Sequence, residues 1–220
     1  MVNATTVTVA PEPAYSEQDV KATLDGCRLT YLYEPDRARL CERASRLVSG
    51  GALVACFQGA VDADTTLTGR SVLCDPSNRW ARENVNRFFR QLPIDAVIPL
   101  VVRADDEPWR ELGITCLREH HVSVPSAWLQ PLVGAIDRHN VVCVRGVSDD
   151  TLLGEMLRRH QARTRVPALI AVPFTAPGEP MVRTPREAIR TMFSSAIDVL
   201  VIERFVIAKD YWLLGALPDA

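Results

Sequence analysis

The apolar residues of the chain follow two distinct periods. Short runs of consecutive, largely β-branched apolar residues occur at Ala52–Phe57, Val97–Val102, Val141–Val144, Val166–Val172 and Ile197–Ile202. Runs of this length and composition predict strands that are buried on both faces. The last two runs are linked by a single helix-forming segment, which predicts that they are neighbouring interior strands of one sheet.

Amphipathic segments separate these runs and predict helices. Apolar residues recur at helical spacing within Asp36–Ser49, Asn78–Phe89 and Pro185–Ala196, so each helix buries one face. A further helix is predicted to begin after Asp149, which would be its N-cap. Because strands and helices alternate, with a few consecutive strands, the pattern predicts an α/β fold.

Two helix starts carry the capping-box pattern. In this pattern a hydroxyl side chain and an acid three residues later bond each other's backbone N–H groups. Ser16 and Asp19 form one such pair, and Thr184 and Glu187 form the other. Pro185 is also well suited to the first helical position. We therefore expect helices to begin directly after Ser16 and Thr184.

The segment Asp105–Pro125 is polar and is predicted to be irregular. It contains the pair His120–His121. Adjacent residues of an extended chain point to opposite faces, so these two imidazoles are not expected to chelate one ion. The six cysteines form no CxxC pair and have no histidine at zinc-site spacing. The prediction is therefore buried, reduced thiols and no metal site.

The composition is that of a globular protein, with 47% hydrophobic residues, 24% charged residues and a net charge of −2 over 220 residues. This balance provides no strongly basic surface for nucleic acid or an anionic membrane. No apolar run approaches the roughly 20 residues that span a bilayer, and the first residues lack the features of a signal peptide. We therefore expect a cytoplasmic protein with no nucleic-acid or membrane partner.

Several blocks of the chain resemble one known family. GEPMVRTPREAI at 178–189, IDVLVI at 197–202 and RSVLCDP at 70–76 fit its pattern without a gap. These blocks are similar to the C-terminal domain of the nodulation- and antibiotic-type O-carbamoyltransferases. The resemblance implies a single domain at 12–220 with a YrdC-like fold, a twisted mixed sheet flanked by helices. Residues 1–11 are then expected to be a disordered leader.

The resemblance also indicates which residues could bind a ligand. In the resembled enzymes this domain makes carbamoyl-adenylate from ATP and carbamoyl phosphate, so several cations must converge on two polyanions. Of the family's site residues the chain keeps Arg70, Ser71, Asn86 and Arg90, the candidates for residual anion or substrate binding. Alternatively, the two arginines pair with surface acids and Asn86 caps a helix end. In a third block only Arg145 could bind an anion, and a surface role is its simpler interpretation.

Other site motifs of the family are altered. Its NTSFN motif aligns with Ala171–Thr175, where Pro173 lacks even a backbone N–H. One site arginine aligns with Asp95, and Asp62 and Asp64 bring further negative charge, which would repel phosphate. No catalytic residue and no cofactor are therefore assigned, and the chain is not expected to be catalytic alone.

Three functions are compatible with this pattern. The favoured one is a diverged, non-carbamoylating subunit of a heteromeric enzyme in specialised-metabolite biosynthesis. It would pair with a protein resembling the actin-like N-terminal half of carbamoyltransferases and support its active site, for example in a ring closure that expels an anion. The alternative is an active carbamoyltransferase or adenylating enzyme that uses ATP and carbamoyl phosphate at a rebuilt site. The third is a nucleotide-binding module without turnover.

Aromatic residues provide candidates for a partner interface, because interface cores are enriched in them. The candidates are Trp80, Trp109, Trp128, Tyr211 and Trp212. For any single aromatic residue the alternative is a place in the protein core. Trp80, Tyr211 and Trp212 are the predicted interface residues.

Overall fold

The computed structural model describes residues 14–59, 69–107, 109–116 and 118–215. The predicted leader, residues 1–11, lies outside the described residues. Of the helices described, none is both long and apolar enough to cross a membrane.

Nine strands are described, and all belong to one sheet. They are β1 Leu32–Tyr33, β2 Val54–Phe57, β3 Arg70–Cys74, β4 Pro99–Arg103, β5 Glu119–Ser123, β6 Val141–Val147, β7 Leu169–Pro173, β8 Val199–Ile202 and β9 Phe205–Ala208. Their order across the sheet is β1-β9-β8-β2-β3-β7-β4-β6-β5. β2 pairs in parallel with β8, and β4 with β6, whereas the other pairs are antiparallel. The predicted mixed α/β sheet is thus confirmed.

Helices flank both faces of this sheet. They are α1 Glu17–Gly26, α2 Arg37–Ser49, α3 Glu83–Arg90, α4 Leu152–Thr164, α5 Pro185–Ser194 and the short α6 Trp212–Gly215. α3 has π-type hydrogen bonding, and a single 3-10 turn lies at Ser126–Trp128. Both predicted capping boxes are present, Ser16 with Asp19 and Thr184 with Glu187.

The core lies on both faces of the sheet. α2 and α4 cover one face, where Val48 and Met156 pack with the strand residue Val101. α1, α3 and α5 contribute to the opposite cluster, which includes Met192 and Leu200. Because the central strands are covered on both faces, their sequences are continuous apolar runs and not alternating ones.

The predicted pairing of the two strands around α5 was wrong. β7 and β8 are interior strands of the same sheet, but β2 and β3 lie between them. The strand pairings make β7 and β8 point in the same direction. α5 therefore connects two strands that run in the same direction but are separated by the antiparallel pair β2 and β3. An apolar run indicates that a strand is buried but does not specify its neighbour.

Three local predictions also differ from the structure. α3 begins at Glu83, later than the predicted start at Asn78. The segment predicted to be irregular contains β5, an edge strand whose alternating exposure left no apolar run to detect. Thr151, and not Asp149, caps α4 by accepting a bond from the Gly154 N–H. Asp149 instead forms an ion pair with Arg103, the last residue of β4.

Candidate functional site

A groove of about 270 Å³ lies on the sheet between β7, β4, β6 and β5. Its lining includes Pro99, Val101, Glu119, Cys143, Arg145, Ala171 and Pro173. Val142 and Val144 pack into the core of the opposite face. Because side chains alternate along a strand, Cys143 and Arg145 point to the face that α2 and α4 partly cover.

Three segments that align with site motifs of the resembled family meet in this groove. Pro99 ends one block, Arg145 belongs to the second, and Ala171 and Pro173 belong to the altered NTSFN motif. They are brought together because β4 pairs with β6 on one side and with β7 on the other. The groove therefore brings together three of the segments that align with the family's site motifs.

Arg145 is the cation of the groove lining. Its Nη2 lies 3.8 Å from an oxygen of Glu119 on the neighbouring strand. Its Nε is buried and has no hydrogen-bond acceptor among the described residues. A buried N–H donor of this kind is costly unless a ligand or water satisfies it. The groove thus offers one donor suited to an anion, beside one carboxylate.

Arg70 has a structural role at the end of β3. Its side chain is only 1% exposed, and Nη1 donates to the carbonyls of Gln58 and Gly69 at 2.7 and 2.9 Å. Nη2 donates to the carbonyl of Gly59 at 3.0 Å, and the guanidinium stacks 3.4 Å above the Phe57 ring. These contacts direct both terminal nitrogens to backbone carbonyls.

Ser71 follows Arg70 on β3 and is buried beside the groove. It lies opposite Pro173 in the β3–β7 register, and the alternation along β3 points it to the face opposite Val72. Of the four predicted anion-binding residues, Ser71 is thus the one whose strand partner lines the groove.

Asn86 and Arg90 form a second structural unit at the end of α3. Asn86 is fully buried, and its amide donates to the carbonyls of Ile94 and Ala96 at 3.1 and 2.7 Å. Arg90 Nη1 donates to Asn86 Oδ1 and to the carbonyl of Val97. Burial lowers the pKa of the Arg90 guanidinium. Their contacts are with the 94–97 segment, whereas those of Arg70 are with 57–59 and 69.

The acids expected to enter the site have different locations. Asp95 is exposed on the turn that Asn86 and Arg90 hold and is absent from the groove lining. Asp62 and Asp64 lie outside the described residues. The carboxylate of the groove is instead Glu119.

One cluster was missed by sequence reasoning. Glu119, His121 and Cys143 place their potential ligand atoms within 4.8 Å of one another. His121 lies directly opposite Cys143 in the β5–β6 register. Burial, and then the Glu119 charge, raises the pKa of the Cys143 thiol to about 11. The three residues span 25 positions of sequence, so only strand pairing reveals the cluster.

The predicted interface residues are all exposed. Trp80 is 53% exposed, Tyr211 67% and Trp212 82%. Trp109, also considered for this role, is instead a fully buried core residue whose indole N–H donates to the Pro167 carbonyl at 2.8 Å. The exposed positions leave three aromatic side chains available for contact with another molecule.

Comparison with known proteins supports the family resemblance. Residues 134–209 match the family model described as Carbamoyltransferase C-terminus, a range that includes Arg145 and the altered NTSFN segment. This region is therefore similar to the C-terminal domain of carbamoyltransferases. The chain is also similar to a double-substituted variant of P. abyssi Sua5, with a TM-score of 0.52, 12% identity and coverage of 76% of this chain and 49% of that one. That similarity supports the YrdC-like fold.

Further similarities are more distant or involve longer proteins. E. coli YciO has a TM-score of 0.49 at 14% identity, covering 82% of this chain and 95% of that one. An uncharacterized Synechocystis protein is 26% identical over 90% of this chain and 36% of its own length. An uncharacterized Methanocaldococcus jannaschii protein is 24% identical, with 90% and 34% coverage. The carbamoyltransferase C-terminal-like chain thus spans about a third of the length of these two relatives.

Proposed function

We propose that this domain is a non-carbamoylating subunit that completes the active site of an actin-like, carbamoyltransferase-related partner. The observation that carries the proposal is that the candidate anion-binding arginines make different contacts. Arg145 lines the groove, whereas Arg70 and Arg90 donate to backbone carbonyls. One groove cation beside a carboxylate suits a single small anion.

Charge argues against carbamoyl-adenylate synthesis in this groove. That reaction must hold ATP and carbamoyl phosphate together, which requires several cations to converge. In the groove lining, Arg145 faces Glu119 at 3.8 Å, so its charge is already partly balanced. A second polyanion would be repelled by the Glu119 carboxylate.

The partner is inferred from the relatives and from the exposed aromatic residues. About two thirds of each curated relative lies outside its match to this chain, so in those two proteins the similar region is joined to other sequence. Trp80 lies in the stretch 80–97, which also exposes Phe88 and Ile94. Together with Trp212, these side chains supply the aromatic and apolar contacts typical of interface cores.

The reaction class proposed for the complex is a ring closure in specialised-metabolite biosynthesis. A substrate amine attacks the carbon that carries a sulfate or phosphate ester. The C–N bond forms from the amine electron pair, the C–O bond electrons leave with the anion, and the amine proton passes to solvent. A fixed cation such as Arg145 would stabilise the charge that develops on the leaving oxygen.

The alternative function is an adenylating or carbamoyl-transferring enzyme that uses ATP and carbamoyl phosphate. The convergence of three family site segments on one groove favours it. The two proposals are separated by incubating the purified chain with ATP and carbamoyl phosphate and measuring pyrophosphate. We expect no release above that of an Arg145→Ala variant. Release that depends on carbamoyl phosphate and is abolished by Arg145→Ala would establish the alternative.

The partner is tested by expressing the chain with an actin-like carbamoyltransferase-related protein from the same genome. Size-exclusion chromatography with light scattering should show a complex heavier than either chain alone. Such an interface should bury at least about 1,000 Å². A chain that stays monomeric beside every such protein would refute the heteromeric assignment.

A further inference from the structure

The pairing of β5 with β6 creates a cluster of three side chains, of which the proposed function uses only the Glu119 carboxylate. His121 and Cys143 are direct cross-strand partners, and Glu119 precedes His121 by two residues on the same face of β5. Directly opposed side chains have Cβ atoms about 5 Å apart. The imidazole, thiol and carboxylate ligand atoms therefore meet within 4.8 Å.

These three groups form a donor set suited to zinc. Zn²⁺ binds thiolate, imidazole and carboxylate at about 2.0–2.3 Å, which places tetrahedral ligand atoms roughly 3.3–3.8 Å apart. The observed 4.8 Å spread needs a contraction of about 1 Å on binding. Glu119 and His121 are exposed on an edge strand, so their side chains can rotate, whereas Cys143 is buried and anchors the set.

The surroundings also suit a cation. Glu119 has one oxygen 4.0 Å from His121 Nε2 and the other 3.8 Å from Arg145 Nη2. One carboxylate oxygen can therefore bind the ion while the other is oriented by Arg145, as outer partners commonly orient ligating carboxylates. A thiolate and a carboxylate together balance the charge of a divalent ion.

We propose that Glu119, His121 and Cys143 bind one divalent ion of the zinc class, with the open coordination position facing the groove. Both Glu119 and Cys143 line that groove. Three protein ligands and one open position are the arrangement of catalytic zinc sites, whereas structural sites use four protein ligands. The ion would place a second positive centre beside Arg145 and strengthen the binding of an anionic ligand.

Two neighbouring residues provide matched controls. His120 is on the same strand but on the opposite face, where its Nε2 lies 3.2 Å from the Thr115 hydroxyl. Cys116 is an exposed thiol that forms an isolated bridge with Gly146 and is outside the cluster. Substituting either one removes an imidazole or a thiol without touching the proposed ligands.

The experiment is a titration of the chelator-treated full chain with Co²⁺ alone, followed by competition with Zn²⁺. We expect one equivalent to bind, with a thiolate-to-cobalt charge-transfer band that zinc abolishes. His121→Ala and Cys143→Ser should each weaken binding at least about tenfold, whereas His120→Ala and Cys116→Ser should bind like wild type. Circular dichroism and thermal unfolding of each variant separate loss of a ligand from loss of the fold.

Three results would overturn the proposal. They are the absence of a charge-transfer band, binding that survives Cys143→Ser in a folded protein, and equal losses in the His120→Ala control. A second measurement remains informative if the variants do not fold. Zn²⁺ should raise the melting temperature of the unmodified chain, since a ligand of the native state stabilises it by mass action. No rise at zinc concentrations that saturate the cobalt-competition curve would also count against the site. Because metal binding is measured without a partner or substrate, the result does not depend on the proposed function.

Discussion

Asn86 Oδ1 accepts a hydrogen bond of 2.8 Å from Arg90 Nη1, and the two side chains together bind three backbone carbonyls of the 94–97 segment. The pair connects the end of α3 to the chain that leads into β4. β4 supplies Pro99 and Val101 to the groove, whereas Asn86 and Arg90 are not part of its lining. The hydrogen-bonded pair therefore helps to position one wall of the groove from outside it.

Replacing Asn86 should destabilise the fold. Asn86→Ala removes a fully buried amide that donates to the carbonyls of Ile94 and Ala96, and should lower the free energy of unfolding by about 1–3 kcal/mol. Urea denaturation followed by circular dichroism measures the change. Asn84→Ala, at a half-buried position of the same helix, is the control and should remain within about 0.5 kcal/mol of wild type. Equal effects of the two variants would contradict the structural role.

Arg70 should be needed for stability even as lysine. Arg70→Lys keeps the charge but cannot reach the carbonyls of Gln58, Gly69 and Gly59 with one planar fork. We expect a loss of about 2 kcal/mol in the free energy of unfolding, the scale of one or two hydrogen bonds to a charged group. A matched exposed arginine, Arg79, stacks 4.7 Å from the Trp80 ring.

The control for Arg70→Lys is therefore Arg79→Lys, which should change stability by less than about 0.5 kcal/mol. If Arg70→Lys unfolds at the wild-type denaturant midpoint but loses anion binding, Arg70 is a ligand-binding residue and its structural assignment is wrong.

Stability should fall in mild acid because of His160. This imidazole is fully buried, with Nδ1 3.1 Å from the Ser49 hydroxyl and Nε2 3.8 Å from Asp75. Burial lowers the pKa of His160, an effect opposed by Asp75 and assisted by Arg163. Above about pH 6.5, the unfolded-chain pKa, both states are neutral at this site and its contribution is fully present. Below it the unfolded chain binds a proton more readily than the native protein, so the free energy of unfolding decreases.

The measurement is urea unfolding at a series of pH values between about 5 and 8, the range in which histidine titrates. His160→Gln should remove part of the decrease seen in the wild type as the pH falls below about 6.5. His139→Gln, at an exposed position, should leave the decrease intact. Parallel pH curves for wild type and His160→Gln would show that His160 is not its source.

Association with the partner should depend on exposed aromatic residues. Trp212→Ala and Trp80→Ala should leave the isolated chain as stable as wild type, since both side chains are more than half exposed. Each should raise the Kd for the actin-like partner, and a buried aromatic anchor can cost about 2 kcal/mol or more, roughly thirtyfold. Phe193→Ala, another exposed aromatic position, is the matched control. Unchanged binding by all three variants would place the interface elsewhere.

The elements of this fold follow closely from local sequence. The apolar runs at β2, β4, β6, β7 and β8 and the capping boxes of α1 and α5 lie where they were predicted, with shifts at their ends. Burial and capping are set by residues a few positions apart, so the period of the sequence records them. The resemblance to the carbamoyltransferase C-terminal family was also visible in local blocks, and the family match at 134–209 confirms it.

Tertiary structure decides the order of the strands and which side chains line the groove. The sequence does not indicate that β2 and β3 separate β7 from β8, or that the polar segment around His121 pairs with Cys143. The family resemblance identified Arg70 and Arg90 as candidate anion-binding residues, but both donate hydrogen bonds to carbonyls supplied by the folded backbone. Composition and period determine which side chains are buried. Which buried strands become neighbours depends on contacts between distant parts of the chain, and those contacts set the direction of every donor in the groove.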